Sequence, residues 1–140
     1  MIKKLITEEE LLQGFDVLQE LRPHLEQTTF LKTYEAMKQE GYELYALYDE
    51  NEAVAVTGII TLTNFYDGYH IYVYDLVTKS TERSKGYGEK LLHFIEEMGR
   101  EKGCENVTLS SGLVRVDAHR FYEERMKYDK SSYVFRKNLL

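Results

Sequence analysis

Runs of alternating apolar and polar residues are separated along this chain by segments whose apolar residues recur every three or four positions. The first pattern is typical of strands and the second of amphipathic helices. In chain order they predict the elements β-α-α-β-β-β-α-β-α-β. The strands are expected at Ile2–Ile6, Tyr42–Tyr48, Ala53–Thr63, Tyr69–Thr78, Val107–Ser111 and Ser132–Leu139, and the helices at about 7–22, 29–41, 86–102 and 115–127.

Local signals fix several of these boundaries. Thr7 followed three residues later by Glu10 has the form of a capping box, and Pro23 marks the end of the helix that it opens. Gly103 closes the third helix in the manner of a C-cap. The pattern by itself therefore predicts one domain over residues 1–140, with helices on the faces of a mixed sheet.

The composition excludes several classes of protein. A single cysteine rules out an intramolecular disulfide, and no apolar run approaches the roughly 18 residues that a membrane-spanning helix needs, so we expect a cytoplasmic protein without a membrane partner. The net charge of −6 argues against a nucleic-acid partner, because lysine and arginine cluster only in the turn at 79–85. The same charge favours a cationic small molecule.

The turn after the fourth strand is the strongest candidate for a binding site. Two glycines, Gly86 and Gly88, bracket Tyr87 where the next helix begins. The first N–H groups of a helix have no internal partner, and the helix dipole adds about half a positive charge there. This turn therefore predicts a site for a phosphate or pyrophosphate.

Two other interpretations of this turn are possible. A dinucleotide-binding loop would have a third glycine and an acidic residue at the end of the next strand. The chain has Leu91 at the first place and Ser110-Ser111-Gly112 at the second, so it fails both tests. The other alternative is an ordinary glycine-rich turn without a ligand.

The turn also resembles a known signature. Residues Arg83-Ser84-Lys85-Gly86-Tyr87-Gly88 are similar to the R-x-x-G-x-G motif of the GNAT (Gcn5-related) N-acetyltransferases. The preceding Asp75-Leu76-Val77-Thr78 resembles the cofactor strand of that family, and Ala118-His119-Arg120-Phe121-Tyr122 resembles its second motif. The resemblance covers nearly the whole chain. It implies an α+β fold with a mixed, mostly antiparallel sheet of about six to seven strands and about four helices, in which the fourth and fifth strands splay apart.

The resemblance also implies a function. It predicts an N-acetyltransferase that moves acetyl from acetyl-CoA directly to a primary amine of a small molecule or peptide in a ternary complex, without a metal or covalent intermediate. It further suggests a homodimer. The alternative is a non-catalytic module of the same fold that binds acyl-CoA as a sensor or interaction partner. The implied cofactor-binding residues are Leu76, Val77, Thr78, Arg83, Ser84, Lys85, Gly86, Tyr87, Gly88 and Ser111.

Two residues are candidates for the chemistry. The resemblance assigns Tyr122 to the departing CoA thiolate, which its phenol would protonate; the alternative is a packing residue on an amphipathic helix. Asp75 is the candidate base for the ammonium proton, or else a structural acceptor that bonds its neighbours. Cys104 is expected to be a buried small residue rather than a nucleophile.

The final part of the chain gives a finer match and a departure. Its second motif and its last residues are most similar to enzymes that act on small amines, including the aminoalkylphosphonate acetyltransferases. Where family members usually have a glycine after the helix of that motif, this chain has Lys127. Either Lys127 takes a left-handed conformation, at a cost of about 1 kcal/mol, or the helix ends differently.

Overall fold

Five strands form one sheet in the order β1-β2-β3-β4-β5. The structure, a computed structural model, describes residues 1–140 and divides into two compact units, residues 1–108 and residues 109–140. The strands are β1 (Ile2–Lys4), β2 (Glu43–Asp49), β3 (Glu52–Asn64), β4 (Gly68–Thr78) and β5 (Asn106–Leu109). The helices are α1 (Glu8–Leu21), α2 (Gln27–Gln39), α3 (Tyr87–Lys102) and α4 (Val116–Arg120). Strands β1 to β4 pair in antiparallel fashion.

The first unit buries both faces of its sheet. Along β2, Leu44 and Ala46 belong to the core cluster that α1 and α2 complete, whereas the ring of Tyr45 lies 5.5 Å from that of Phe94 on α3. Alternate residues of a strand point to opposite faces, so this strand needs apolar residues at every position. That explains its nearly continuous apolar sequence, Leu44 to Tyr48.

A β-bulge interrupts the pairing of β3 with β4. Gly58 pairs with Asp75 and Ile59 pairs with Val73, which leaves Tyr74 as the extra residue on β4. A bulge of this kind bends the strand and breaks the alternation of its side chains. As a result the side chains of Tyr74 and Asp75 both contact Tyr42, although they are neighbours in sequence.

The second unit is built around the segment after α4. Phe121–Arg125 continues α4 as a π-helical turn, and Met126 N–H closes it by donating to the carbonyl of Phe121 (3.0 Å). Lys127 then takes φ = +62°, the left-handed conformation that the missing glycine would have adopted freely. The first alternative predicted for Lys127 is therefore the correct one.

The predicted fold class is confirmed, with corrections in the last third of the chain. The capping box is present, since Thr7 accepts from Glu10 N–H while the Glu10 carboxylate accepts from Thr7 N–H, and Gly103 caps α3 as expected. The sheet has five strands rather than six to seven, because the strand predicted at Ser132–Leu139 is absent. The prediction of a single domain stays a prediction.

The missing strand and the shortened helix have physical explanations. The β-propensity of Tyr133, Val134 and Phe135 reflects how well such side chains fit a half-buried sheet surface, and here they are 73%, 69% and 91% exposed. The helix predicted at 115–127 is regular only over Val116–Arg120, since the remainder winds as a π-helix. Periodicity does not distinguish these two windings over one turn.

Candidate functional site

The turn between β4 and α3 has the backbone geometry of an anion site. Ser80–Glu82 forms a short 3-10 turn, Ser84 has φ = +67° and Gly86 has φ = +79°. Gly86 is the N-cap of α3 and supplies no side-chain hydrogen bond to its first turn. A Cβ placed on Gly86 would meet no atom within 4 Å, so the space beside the helix N-terminus is open. Uncapped N–H groups next to open space favour binding of an anion.

Two side chains of this turn, those of Lys85 and Tyr87, have hydrogen-bond partners within the protein. Lys85 is paired with Glu82 (Nζ to Oε2, 2.6 Å), and this bond raises the pKa of its ammonium group. Tyr87 donates from its hydroxyl to Asp49 at the end of β2 (2.9 Å), which raises the pKa of the phenol. The sequence predicted both residues beside a phosphate. Their present partners stabilise the turn, and two cations of the turn, Arg83 and Lys85, are exposed.

Strand β4 leads into this turn and stays paired with β3 up to its last residue. Leu76, Val77 and Thr78 pair with Thr57, Val56 and Ala55 on β3, and the N–H of Lys79 extends the ladder by donating to the carbonyl of Val54 (2.8 Å). The side chains of Leu76 and Val77 are buried. Any contact of Leu76 or Val77 with a ligand therefore depends on their backbone groups.

Asp75 is the centre of a buried polar network. Arg22 donates from Nε to Asp75 Oδ1 (3.2 Å), and its Nη2 lies 3.1 Å from the same oxygen. Tyr42 donates its hydroxyl hydrogen to Oδ2 (2.7 Å). Burial, followed by the adjacent Asp75 charge, raises the pKa of Tyr42 well above its ordinary value, so the phenol remains a donor. Both carboxylate oxygens of Asp75 are thus hydrogen-bonded.

Arg22 also stabilises the bulge itself. Its Nη2 donates to the carbonyl of Tyr74 (3.0 Å), the residue that has no partner on β3. One guanidinium thus bonds both the bulge carbonyl and the carboxylate beside it.

An aromatic hollow opens above this network. It is defined by Arg22, Phe30, Tyr34, Tyr42, Tyr74 and Asp75 and has a volume of about 430 Å³. Its rings form a continuous wall, with centroid separations of 6.2 Å from Phe30 to Tyr34, 6.3 Å from Tyr34 to Tyr42 and 5.8 Å from Tyr42 to Tyr74. Pockets for small molecules combine apolar walls with a few polar groups in the same way.

The wall depends on a glycine of β3. A Cβ on Gly58 would lie 1.7 Å from the Tyr42 hydroxyl oxygen, so any larger residue at this position would displace the phenol. Gly58 therefore makes room for the ring that bonds Asp75. The sequence offered no sign of this role.

The second unit contains the other predicted site residues. Tyr122 is buried, and burial raises the pKa of its phenol while the charge of Arg115 lowers it to a smaller extent. The hydroxyl oxygen of Ser111 is buried without a hydrogen-bond partner, which leaves its bonding capacity unused. His119 is tied locally, because its Nε2 lies 2.7 Å from the carbonyl of Gly112.

Cys104 lacks the setting of a catalytic nucleophile. Cys104 is half-buried, and burial raises the pKa of its thiol, which keeps it in the weakly nucleophilic protonated form. No group of three or more His, Cys, Asp or Glu side chains lies close enough to bind a metal ion. None of the helices combines the length and the apolar character that crossing a membrane requires.

Sequence reasoning missed Arg22, Tyr42 and Tyr74 as parts of a site. Their contacts with one another and with Asp75 bring together residues from the end of α1, the start of β2 and the middle of β4. The only signal in the sequence was the concentration of tyrosine near these strands. That signal fitted half-buried strand residues equally well.

Comparison with known proteins identifies the family. Residues 7–128 match the sequence profile of the Acetyltransferase (GNAT) family. The chain belongs to the GNAT acetyltransferases. It is 40% identical to the uncharacterized N-acetyltransferase YhdJ of Bacillus subtilis over 137 residues, which are 97% of this chain and 96% of that protein. This GNAT chain is therefore an acyltransferase, and its family uses acetyl-CoA or CoA.

This GNAT chain is also similar to two more distant proteins. It is 35% identical to the aminoalkylphosphonate N-acetyltransferase of Salmonella typhimurium over 88 residues, which are only 60% of this chain and 56% of that protein. The structure of AAC(6')-Iy in complex with the bisubstrate analogue CoA-S-monomethyl-acetylneamine has the same fold, with a TM-score of 0.84, 12% identity and coverage of 100% of this chain and 98% of that one. The fold thus accommodates CoA in that protein.

Proposed function

We propose that this protein transfers the acetyl group of acetyl-CoA directly to the primary amine of a small molecule within a ternary complex. The observation that supports this most is the turn before α3. Its uncapped helix N-terminus, the positive φ of Gly86 and the open space beside it suit the pyrophosphate of CoA. In this proposal Arg83, Ser84, Lys85, Gly86, Tyr87 and Gly88 bind the pyrophosphate.

The pantetheine arm is assigned to the backbone of Leu76, Val77 and Thr78. These residues form the end of β4 and lead directly into the turn. Ser111 is proposed as a further cofactor contact, because its buried hydroxyl oxygen has no partner in the protein. A ligand atom that bonds this oxygen would remove an unfavourable buried group.

The transfer needs a route for electrons and protons. The nitrogen lone pair of the neutral amine attacks the thioester carbon, and the carbon–sulfur bond then breaks with its electron pair passing to the CoA sulfur. Tyr122 is proposed to donate its phenolic proton to that thiolate, and the proton that the newly acetylated nitrogen loses restores the phenol. The raised pKa of Tyr122 keeps the phenol protonated at neutral pH and therefore able to act as the acid.

The ammonium group of the acceptor must lose a proton before it attacks. Asp75 is proposed for this task or as the acceptor that holds Tyr42 and Arg22 in place. The network favours the second role, since Arg22 and Tyr42 already donate to its two oxygens. In that case the proton leaves through water, as solvent reaches the hollow that Asp75 lines.

Direct transfer is favoured over an acetyl-enzyme. A covalent route needs an activated nucleophile, and the only cysteine has a raised thiol pKa.

The homodimer and the cytoplasmic location suggested by the sequence also stay predictions. Light scattering tests the dimer, and a mass of 16.5 kDa would exclude it.

Initial-rate kinetics test the proposed mechanism. We expect release of CoA that requires an amine, and intersecting double-reciprocal plots when acetyl-CoA and amine are both varied. Intact-mass analysis after incubation with acetyl-CoA alone should show no acetyl adduct. Parallel plots together with an adduct would indicate a ping-pong route and contradict the proposal. Binding of acetyl-CoA without release by any amine would instead favour the non-catalytic module.

A further inference from the structure

The aromatic hollow has a lining that discriminates between classes of amine. Phe30, Tyr34 and Tyr42 are only 5%, 7% and 5% exposed, whereas Tyr74 is 40% exposed and lies at the mouth. A wall of aromatic rings binds an apolar or aromatic body through area burial and ring contacts. They also attract an ammonium group that lies over a ring face.

The charges of the hollow argue against a polycation. Asp75 is the only acidic residue in the lining, and Arg22 already neutralises it. Several ammonium groups would therefore share one carboxylate that is already paired, in a hollow whose remaining walls are mostly apolar. Polyamines and aminoglycosides do not fit such a lining.

The same charges argue against a phosphonate. The guanidinium of Arg22 directs two nitrogens at Asp75 and at the carbonyl of Tyr74. A dianion could bind these nitrogens only by displacing Asp75 or the carbonyl of Tyr74.

We propose that the acceptor is a primary monoamine with a single aromatic or branched apolar body. Its amine lies at the floor beside Asp75 and Tyr42, and its body packs against Phe30, Tyr34 and Tyr74. This inference rests on the proposed amine acetylation and narrows the acceptor. The carboxylate of Asp75 attracts one ammonium group, and the apolar wall selects the body attached to it.

A panel of four amines tests the proposal. CoA release is measured with 2-phenylethylamine, spermidine, kanamycin and 2-aminoethylphosphonate. We expect kcat/KM for 2-phenylethylamine to exceed each of the others by at least about tenfold, the discrimination that one apolar contact provides. Preference for any of the other three overturns the inference but leaves amine acetylation intact. No release with any amine overturns both.

A matched pair of variants tests the location. Tyr74 and Tyr69 lie on the same strand with exposures of 40% and 41%, and only Tyr74 borders the hollow. Tyr74→Ala should raise KM for 2-phenylethylamine about three- to tenfold, which corresponds to one aromatic contact, with little change in KM for acetyl-CoA. Tyr69→Ala should leave both KM values within about twofold. Equal effects of the two substitutions would exclude the hollow as the acceptor site.

Discussion

The phenol of Tyr122 is the single residue on which the proposed chemistry depends most. Its contribution appears only as the carbon–sulfur bond breaks, because the thioester sulfur becomes a strong hydrogen-bond acceptor only then. Loss of the hydroxyl should therefore raise the barrier without weakening the binding of acetyl-CoA. The ring of Tyr122 would still pack against Phe121 and Tyr128, whose centroids lie 5.3 and 6.2 Å away.

Tyr122→Phe should lower kcat by about a hundredfold to ten-thousandfold, the usual contribution of a general acid. The affinity for acetyl-CoA, measured by calorimetry, should change by less than about threefold. Tyr128→Phe is the control, since it removes a hydroxyl from the neighbouring ring, and it should keep nearly full activity. A Tyr122→Phe enzyme with nearly the wild-type kcat would show that Tyr122 only packs.

The pH dependence of the same step follows from the direction of the pKa shift. Burial raises the pKa of Tyr122 above its ordinary value of 10.0, and the acid form is the active one. The wild-type rate should therefore not fall through ionisation of this group until the pH exceeds about 10. An alkaline limb centred near pH 8 and absent in Tyr122→Phe would contradict this expectation.

Among the secondary-structure elements, the bulge in β4 matters most because it places Tyr74 and Asp75 on one side of the strand. Gly58 opposite Asp75 leaves room for Tyr42, and Arg22 satisfies the bulge carbonyl. Gly58, the guanidinium of Arg22 and the phenol of Tyr42 therefore hold the bulge of β4 against the chain segments that follow α1 and precede β2. A change at the glycine should disturb all of them together.

Gly58→Ala should destabilise the fold by about 1–3 kcal/mol, because the buried ring of Tyr42 has little room to move away from a new Cβ. For a chain of this size that lowers Tm by roughly 3–10 °C. Gly99→Ala in α3 is the control. Its Cβ would meet Ile71 at 3.4 Å, so it should leave Tm unchanged or slightly higher. A Gly58→Ala protein as stable as the wild type would contradict this role for Tyr42.

Elements with local signals could be predicted from the sequence, and those that depend on distant contacts could not. Thr7 and Glu10 set the start of α1, and Gly103 sets the end of α3, through interactions within a few residues. The bulge depends on Gly58 and Arg22, whose partners lie far along the chain. Tyr133 to Phe135 looked like a strand because propensity was counted without a pairing partner.

The candidate site also has one part that local sequence signals predict and one part that depends on distant contacts. The turn with Gly86 was recognisable because an anion site at a helix N-terminus is made of consecutive residues. The aromatic hollow was not, since Phe30, Tyr42 and Tyr74 come from three separate elements. The left-handed Lys127 lay between these cases, because the sequence restricted its conformation to two alternatives and the structure chose one.

At the scale of the whole molecule, the first unit contains both the proposed pyrophosphate turn and the aromatic hollow. Both depend on β4, which ends at the turn and borders the hollow with Tyr74 and Asp75. The strand thus connects the place where the cofactor is proposed to bind and the place proposed for the acceptor. The central claim of this account is that the turn binds acetyl-CoA.

Two glycines of α3 allow that claim to be tested with a matched control. Gly86 and Gly103 lie at opposite ends of the helix, both have φ = +79°, and a Cβ on either would meet no atom within 4 Å. Valine at either position should therefore cost similar stability, about 1–2 kcal/mol. Only the valine at Gly86 would occupy the proposed phosphate site.

The decisive measurement is calorimetric titration of acetyl-CoA into the wild type, Gly86→Val and Gly103→Val, after thermal melts have confirmed that each is folded. We predict that Gly86→Val weakens binding by at least about tenfold, because the uncapped N–H groups lose access to the pyrophosphate. Gly103→Val should bind within about twofold of the wild type. If Gly86→Val binds acetyl-CoA as tightly as Gly103→Val, the turn is not the cofactor site.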